Sequence, residues 1–415
     1  SAYNAINEAN YFIPKCEALL NRDDVTDNEK TEIKSMIAVG HFCRAMAYVY
    51  LFDKFVDYKE ANLEAEGKGL QIVTEYKPSG DRGSYVGRSS IRKTVEYINN
   101  ELTLAFDGMV EWDLTTFNDS NIGPETSYLN EYVVAALQSR FALLTNDYST
   151  ALSKAEYVIN SGIYDLVGTD DYANMWTNDT GSELIFVPYA EKAKGGGFAI
   201  GQTWLTNAQK ITSDYIPTAE TLLAYGDNDI RFDSFFELYQ INSSGVNCQA
   251  FVFSKFPGNP ALWTTTSNNL QNKAKPFRLS ELYLIAAEVC ATDGPVKNET
   301  KANEYLNAIR EARIDGYQAT TSTGAALVTA IREERAKELI GEGFRQSDLR
   351  RWGIGFTRNA NLASLGSPLD EGMQFVQVST DNVSYEKGDH RFVWPIPYRE
   401  MSVNPQLKGQ QNAGY

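Results

Sequence analysis

Histidine is nearly absent from this 415-residue chain: His41 lies in an apolar stretch beside Phe42, and His390 sits between Asp389 and Arg391. Neither belongs to an HExxH spacing or has a second ligand nearby, so a zinc site or a Ser-His-Asp relay has no foundation. Cysteine is scarce as well. Cys16, Cys43, Cys248 and Cys290 are far apart, which excludes CxxC metal and redox motifs. They read as small buried side chains; a Cys16–Cys43 bridge would need an oxidising compartment, and spacing does not fix connectivity. Basic residues are outnumbered, 38 against 54 acidic, and the net charge of -16 repels phosphate backbones and anionic headgroups. Nucleic acid and direct electrostatic attachment to a membrane are therefore not expected. No run approaches the roughly 20 apolar residues of a membrane span, and Ser1 to Asn10 has neither a charged nor an apolar signal-like region. Gly195 to Gly201 is glycine-rich but fits neither GxGxxG nor GxxxxGK[ST], so no phosphate cradle is implied. No cofactor is expected. Calcium is left open, since the loops carry acidic residues without EF-hand spacing.

What is present is helical periodicity. From Glu29 to Lys54 the apolar positions Ile33, Ile37, Phe42, Met46, Val49 and Phe52 mark a long amphipathic helix, with Thr26 and Glu29 as a capping box. The pattern fails from Lys59 to Arg88, where glycines and Pro78 make a loop, and returns from Ser90 to Gly108. Glu131 to Leu144 and Tyr148 to Ile159, broken only at Thr145-Asn-Asp147, predict an antiparallel pair. In that pair Ala135, Ala136, Ala142, Ala151 and Ala155 face Phe141, Tyr148 and Val158, the small-against-large pattern of tetratricopeptide-type hairpins. Further hairpins fit Pro276 to Ala291 with Lys301 to Arg313, and Gly324 to Ile340 with Gln346 to Trp352. The stretch 181–275 reads as an irregular insertion with short β-prone runs such as Leu184 to Val187 and Phe251 to Phe253. The last stretch, 358–415, with runs at Phe375 to Val378 and Phe392 to Trp394 before Pro395 and Pro397, must wrap rather than span. The expectation is one mainly α unit over 1–415. Its helical scaffold is 1–58, 88–162 and 276–353, its loop-rich insertion 181–275 and its C-terminal wrap 358–415.

Chemistry concentrates in few places. Arg335, Glu338 and Glu342, then Arg345, Asp348 and Arg351, fall three or four apart on helical turns and can interlock. Glu334 and Glu338 have the proximity of a glycosidase pair, but Arg335 and Lys337 beside them favour structural ion pairs. The loops carry a different mixture. Gln202-Thr-Trp204-Leu-Thr-Asn207 and Asn259 to Asn269, with Trp263, Asn268 and Asn269, place tryptophans among amides and hydroxyls. A pyranose ring offers C–H bonds to an aromatic face and hydroxyls to such partners, so these residues are candidate sugar contacts. Each tryptophan could equally pin its loop to the scaffold. Tyr85 and Trp112 are weaker candidates.

Several segments in order resemble the SusD/RagB family of outer-membrane nutrient-binding lipoproteins. They are Tyr3-Asn-Ala-Ile-Asn-Glu-Ala-Asn10, Arg44-Ala45 with Tyr48, Ala136 to Leu143, and Arg278 to Glu288. More specific are Leu306 to Arg310, Glu334-Arg335 with Glu338-Leu339, Glu342-Gly-Phe-Arg345, Asp348-Leu349, Arg351-Trp352, Trp394-Pro-Ile-Pro397, Asn404-Pro405 and Gln411-Asn412. The resemblance covers nearly the whole chain. It implies four tetratricopeptide-like helix pairs under a loop-rich face that binds glycan without catalysis. It implies a SusC-like TonB-dependent transporter as partner, and a surface-exposed position on the outer membrane through a lipid anchor that this chain does not contain. Cys16, after Phe12-Ile-Pro-Lys15, is no lipobox. Trp352, Trp394 and Trp176 fall in framework segments of that family, whereas Trp112, Trp204 and Trp263 do not. Three other readings stay open: peptide capture, which some relatives perform; a helical glycoside hydrolase; and a scaffold that closes a transporter without selecting ligand.

Overall fold

The computed structural model describes residues 2–111, 125–192, 198–199, 203–205, 211–213, 217–243, 246–266, 268–358 and 383–415. Helix α1 (Ala2–Leu20) runs through Pro14 and packs on α2 (Asp27–Phe55). Both lie in the helical scaffold expected over 1–58, although no periodicity marked a separate helix before Thr26. The second starts at the expected capping box, with the Thr26 hydroxyl accepting from the Glu29 N–H at 3.3 Å and the Glu29 carboxylate from the Thr26 N–H at 2.8 Å. One window of α2 is apolar enough to pass as a membrane span, which the sequence reading missed. Most of that window, 61%, is buried inside the molecule, as in the core helix of a globular fold. Helix α3 (Ile91–Val110), capped by Ser90, packs against α2 and α4. His41 and Arg44 of α2 grip the buried Glu101 of α3 at 2.8 Å each, and Arg44 also holds Asn10 of α1 at 2.7 Å. Burial alone would raise the Glu101 pKa; the bonds from His41 and Arg44 outweigh it and hold the carboxyl below its usual range.

Helices α4 (Glu131–Leu144) and α5 (Tyr148–Ile159) form with the expected bounds. Asn146, at φ 60°, makes the reversal, and the Asp147 carboxylate caps α5 through the Thr150 N–H. Ala135, Ala142, Ala151 and Ala155 are buried, which lets the backbones approach until the Ser139 hydroxyl donates to the Ala151 carbonyl at 2.8 Å. Phe42, Phe52, Ile98, Leu102, Val133, Phe141 and Ile285 fill the main core among these helices. After α6 (Tyr172–Asn178), strand β1 (Leu184–Phe186) enters the irregular middle. There β2 (Phe198–Ala199), β3 (Thr203–Leu205) and β4 (Ile211–Ser213) precede two short helices, α7 (Ala219–Leu223) and α8 (Arg231–Phe235). A long hairpin, β5 (Phe236–Ser243) with β6 (Val246–Phe253), then joins β3 and β4 in a sheet of order β3-β4-β5-β6. Its register runs from Phe236↔Phe253 to Ser243↔Val246. The middle thus holds a longer hairpin than the β-prone runs implied.

Strand β7 (Gln271–Asn272) pairs with β2, and β8 (Phe277–Arg278) with β1. This second pairing explains why α9 (Leu279–Ala291) starts three residues later than the pattern from Pro276 suggests. Arg278 is opposite Leu184 and extended, at φ -128°. Helices α10 (Glu299–Arg313), α11 (Gly324–Glu338) and α12 (Arg345–Trp352) complete the helical layer, α10 and α11 both lying on α9. A β9 (Phe356–Arg358) and β10 (Val383–Tyr385) pair and the short α13 (Tyr398–Val403) follow. The C-terminal stretch returns along α2. The Trp394 N–H donates to the Lys54 carbonyl at 2.8 Å, and Asn412 donates to the Phe55 and Trp394 carbonyls. Buried Arg88 donates to the Gln410 and Asn412 oxygens as well as to the carbonyls of Phe55, Lys68 and Gly69, so one guanidinium joins loop, helix and C-terminus. Cys16 and Cys290 are buried thiols as expected, but Cys43 is an exposed one, and all three are unpaired. The run Phe375 to Val378 lies outside the described residues.

Phe141 is fully buried and meets the Phe52 ring edge-on at 5.3 Å. Phe141→Ala is expected to cost about 3–5 kcal/mol of stability, read as a lower urea midpoint at unchanged slope.

Candidate ligand-binding face

The irregular middle is fixed to the helices by buried charge. Glu338, at the end of α11, has no solvent contact. Its Oε1 accepts from Arg278 Nη1 (3.0 Å), Arg313 Nη2 (3.1 Å) and the Tyr172 hydroxyl (3.2 Å). Its Oε2 accepts from Arg313 Nε (3.0 Å) and Arg231 Nη1 (3.2 Å). Glu183, just before β1, joins the same guanidiniums, taking Arg278 and Arg313 at 2.6 Å each. Asp229 and Glu334 hold the other side of Arg231 at 2.7 and 2.6 Å. Lys255, directly after β6 and fully buried, donates to the Glu338 and Ile340 carbonyls and to Glu342 at 2.7 Å, and lies over the Trp176 and Phe235 rings. Burial pushes the Lys255 pKa down to about 8 against the pull of Glu342.

This arrangement decides the role of the paired carboxylates. Burial would raise the Glu334 pKa, but Arg231, Lys337 and Arg310 bring it down to about 2. Glu338 is driven well below its usual range by Arg313, Arg278 and Arg231 despite complete burial. A glycosidase acid needs a raised pKa and a substrate within reach. These two have neither, and serve as the ion-pair members that Arg335 and Lys337 suggested. Arg335 itself reaches Asp348 at 2.9 Å, and Arg351 joins Asp348 to Glu288, which also accepts from Trp352 Nε1 at 2.7 Å. Sequence reasoning missed Glu183, Asp229, Arg231, Lys255 and Arg313 as members. All but Arg313, at the end of the preceding helix, lie far from α11 along the chain, and no local pattern marks them.

A second clamp carries the loop 257–275. Asp179, left-handed at φ 54° just past α6, accepts on Oδ2 from the Asn259 amide (2.7 Å) and the Lys273 N–H (2.8 Å), and on Oδ1 from the Asn272 amide (3.0 Å) and Lys275. Asn272 also donates to the Trp176 carbonyl and accepts from the Gly258 N–H. Asn259 caps the 3-10 turn Pro260–Leu262 through the Ala261 N–H, and Trp263 follows. Trp263 is half-buried; its Nε1 is screened from solvent and has no partner among the described residues.

The other candidates divide. Asn268 donates to the Pro257 carbonyl at 2.7 Å and accepts from the Leu270 N–H at 2.8 Å. Asn269 donates to the Leu262 carbonyl at 3.0 Å and accepts from the Gln271 N–H at 3.1 Å. Both amides are therefore engaged in building the turn beneath Trp263. Gly258, at φ 92°, is required there, since a Cβ would stand 2.2 Å from the Asn268 oxygen. Trp204 is in β3 opposite Thr212, but its side chain lies outside the described residues, as do Gln202, Asn207 and Trp112 entirely. Tyr85 ends the 3-10 turn Arg82–Ser84 and donates to the Ser79 carbonyl at 3.2 Å. Its loop packs towards the C-terminal segment, where Asn404 donates to the Val86 carbonyl, rather than joining Trp263. Trp176 is core and Trp352 is tied to Glu288, whereas Trp394 is 38% exposed with its edge on Phe55.

A mainly helical helix-pair scaffold that clamps a loop-rich face through buried ion pairs has counterparts among known proteins. Residues 242–415 match the SusD family model. A SusD-like protein of Formosa agariphila is 31% identical over 144 residues, 34% of this chain; the match spans only 24% of that relative. A SusD superfamily protein of Bacteroides thetaiotaomicron shares the fold with a TM-score of 0.75 at 24% identity, over 99% of this chain and 84% of its own. A SusD-like carbohydrate binding protein of Bacteroides vulgatus does so with a TM-score of 0.67 at 16% identity, over 99% and 83%. Residues 242–415 of this chain thus resemble the SusD family, and the chain as a whole shares the fold of these solved structures.

Two outcomes follow. Asp179→Asn leaves the buried Lys275 ammonium without its carboxylate and is expected to lose about 3–5 kcal/mol, with faster amide exchange across 257–275 than across α9. Acid should act through Glu288 and Glu334, whose pKa values stand at about 2 in the folded chain, for Glu288 because Arg351 overrides burial. Lowered carboxyl pKa values give stability that is complete above the unfolded value of about 4.3 and lost as pH falls towards 2. Each group is worth on the order of 3 kcal/mol. The urea midpoint should fall steeply between about pH 4.5 and 2, and less so in Glu334→Gln.

Proposed function

We propose that this chain is a non-catalytic glycan-binding protein of the cell surface. It takes an oligosaccharide on its loop-rich face and delivers it to a SusC-like TonB-dependent transporter of the outer membrane, 1–415 acting as one unit. The observation that carries this reading is the Trp263 loop. Its own amides are satisfied internally and Asp179 anchors it to the helical scaffold, so a half-buried indole whose Nε1 is screened from solvent is held in place. A pre-set aromatic surface loses little entropy when a sugar stacks on it. Gln202, Trp204 and Asn207 are proposed to complete the site. Asn268 and Asn269 then act by shaping the loop, and Tyr85 serves a separate patch. The carbohydrate binding named for the Bacteroides vulgatus neighbour agrees with this assignment. No carboxylate pair described above is placed or protonated for hydrolysis, which supports capture over cleavage. Surface attachment through a lipid anchor and hand-over to the transporter complete the proposal, with no cofactor required.

Titration calorimetry against starch, xylan, mannan, mucin-type and N-glycan fragments tests it, with a mixed peptide pool alongside. Saturable heat with one glycan class and no release of reducing ends is the expected result; heat from peptides alone would replace glycan by peptide capture. Trp263→Ala should weaken glycan binding by about 1–2 kcal/mol, roughly 5- to 30-fold, at an unchanged thermal midpoint. A large fall in that midpoint instead would make Trp263 a framework residue.

A further inference from the structure

One groove lies away from the loop face, on the outer side of the α4/α5 hairpin. It is a shallow, open groove of about 390 Å3 bordered by Tyr132, Ser153, Glu156, Tyr157, Asn160 and Ser161. Tyr132 and Tyr157 lie nearly parallel, 5.5 Å apart at 27°, and form an apolar wall. The Phe106 ring meets Tyr157 at 5.4 Å, and Lys154 covers Phe106 with its ammonium 3.6 Å from the ring centroid, so Tyr157 is backed by a packed side-chain stack. Tyr157 is 40% exposed.

The polar rim is what separates this groove from a packing seam. The Ser153 hydroxyl, the Asn160 amide and the Tyr157 hydroxyl have no hydrogen-bond partner among the described residues. Glu156 is held by Lys301 at 2.8 Å and by the Tyr305 hydroxyl at 2.7 Å, both on Oε1, and Oε2 has no hydrogen-bond partner among the described residues. Ser161 is turned inward, donating to the Val158 carbonyl and accepting from the Ile163 N–H, so it shapes the floor. An apolar ring face bordered by a carboxylate oxygen, an amide and hydroxyls matches the two-sided chemistry of a pyranose.

We infer that this groove is a second carbohydrate subsite, one that takes a single neutral pyranose, either a chain end or a side branch, of a glycan held elsewhere on the molecule. The inference rests on the glycan-binding reading above. Neutral sugar is specified by charge. Burial pushes the Glu156 pKa up, but the bonds from Lys301 and Tyr305 outweigh it and keep the group ionised. On a chain of net charge -16 a uronate or sulfated unit would be repelled. A weak second contact of this kind raises avidity for a polymer without needing high affinity of its own.

Saturation-transfer NMR with the methyl glycosides of glucose, mannose, galactose and xylose tests this on the full chain and on Trp263→Ala, Tyr157→Ala and Asn160→Ala. Asn160→Ala guards against loss of packing, because its side chain bonds nothing among the described residues. The expected result is saturable transfer from at least one glycoside that survives Trp263→Ala and falls by about fivefold or more in both groove variants. Transfer that Trp263→Ala abolishes and the groove variants leave intact overturns the second subsite and leaves the glycan reading standing. No transfer to the native chain also overturns it, and calorimetry with the longer fragments then decides whether the glycan reading falls too.

Discussion

Glu338 keeps a carboxylate out of water among Arg231, Arg278 and Arg313, and the attachment of the irregular middle to the helices depends on it. Those guanidiniums come from α8, β8 and α10, and through Glu183 they reach β1 as well. Exchanging such a group for apolar side chains is often neutral for stability, whereas removing one partner strands the others at a cost of about 3–5 kcal/mol. Directionality is what it contributes. Apolar surfaces slide over each other with little penalty, but five hydrogen bonds to two carboxylate oxygens admit one arrangement of the segments that supply them.

The same logic repeats on a smaller scale wherever an irregular segment meets the scaffold. Asp179 anchors the Trp263 loop, Arg88 anchors the C-terminal return, and Asp53 accepts from Ser347 to fix α12 on α2. A loop-rich face tied down in this way can present aromatic rings without burying them. That property suits reversible capture of a ligand whose surface is partly C–H and partly hydroxyl. The tyrosines of the α4/α5 groove reach the same end by another route, since two helices already rigid through Ala151, Ala155 and Ser139 hold them.

Legibility followed the range of the interactions involved. α4 and α5 were readable to the residue because spacing, Asn146-Asp147 and the small residues are all local signals. The start of α9 was misread because Arg278 looks helical in its own window and is drawn into a strand by Leu184, on the other side of the insertion. The hairpin β5–β6 was understated because its alternation carries polar residues such as Gln240 and Asn242, whose partners Gln249 and Asn247 are visible only once paired. Asn268 and Asn269 show a different failure. The residues that recognise sugars are also those that build tight turns, and only their hydrogen bonds tell the two uses apart.

The sequence by itself determined the helical scaffold, the net negative charge, and the ordered segments that resemble the SusD family. Each of these is carried by neighbours within a few turns of one another, or by composition. Only the tertiary structure decided that Glu334 and Glu338 are locked as anions, that Asp179 holds the loop of Trp263, and that Tyr132 and Tyr157 line a groove whose rim groups have no partner among the described residues. Burial and pairing set those properties, and both depend on residues brought together from distant parts of the chain.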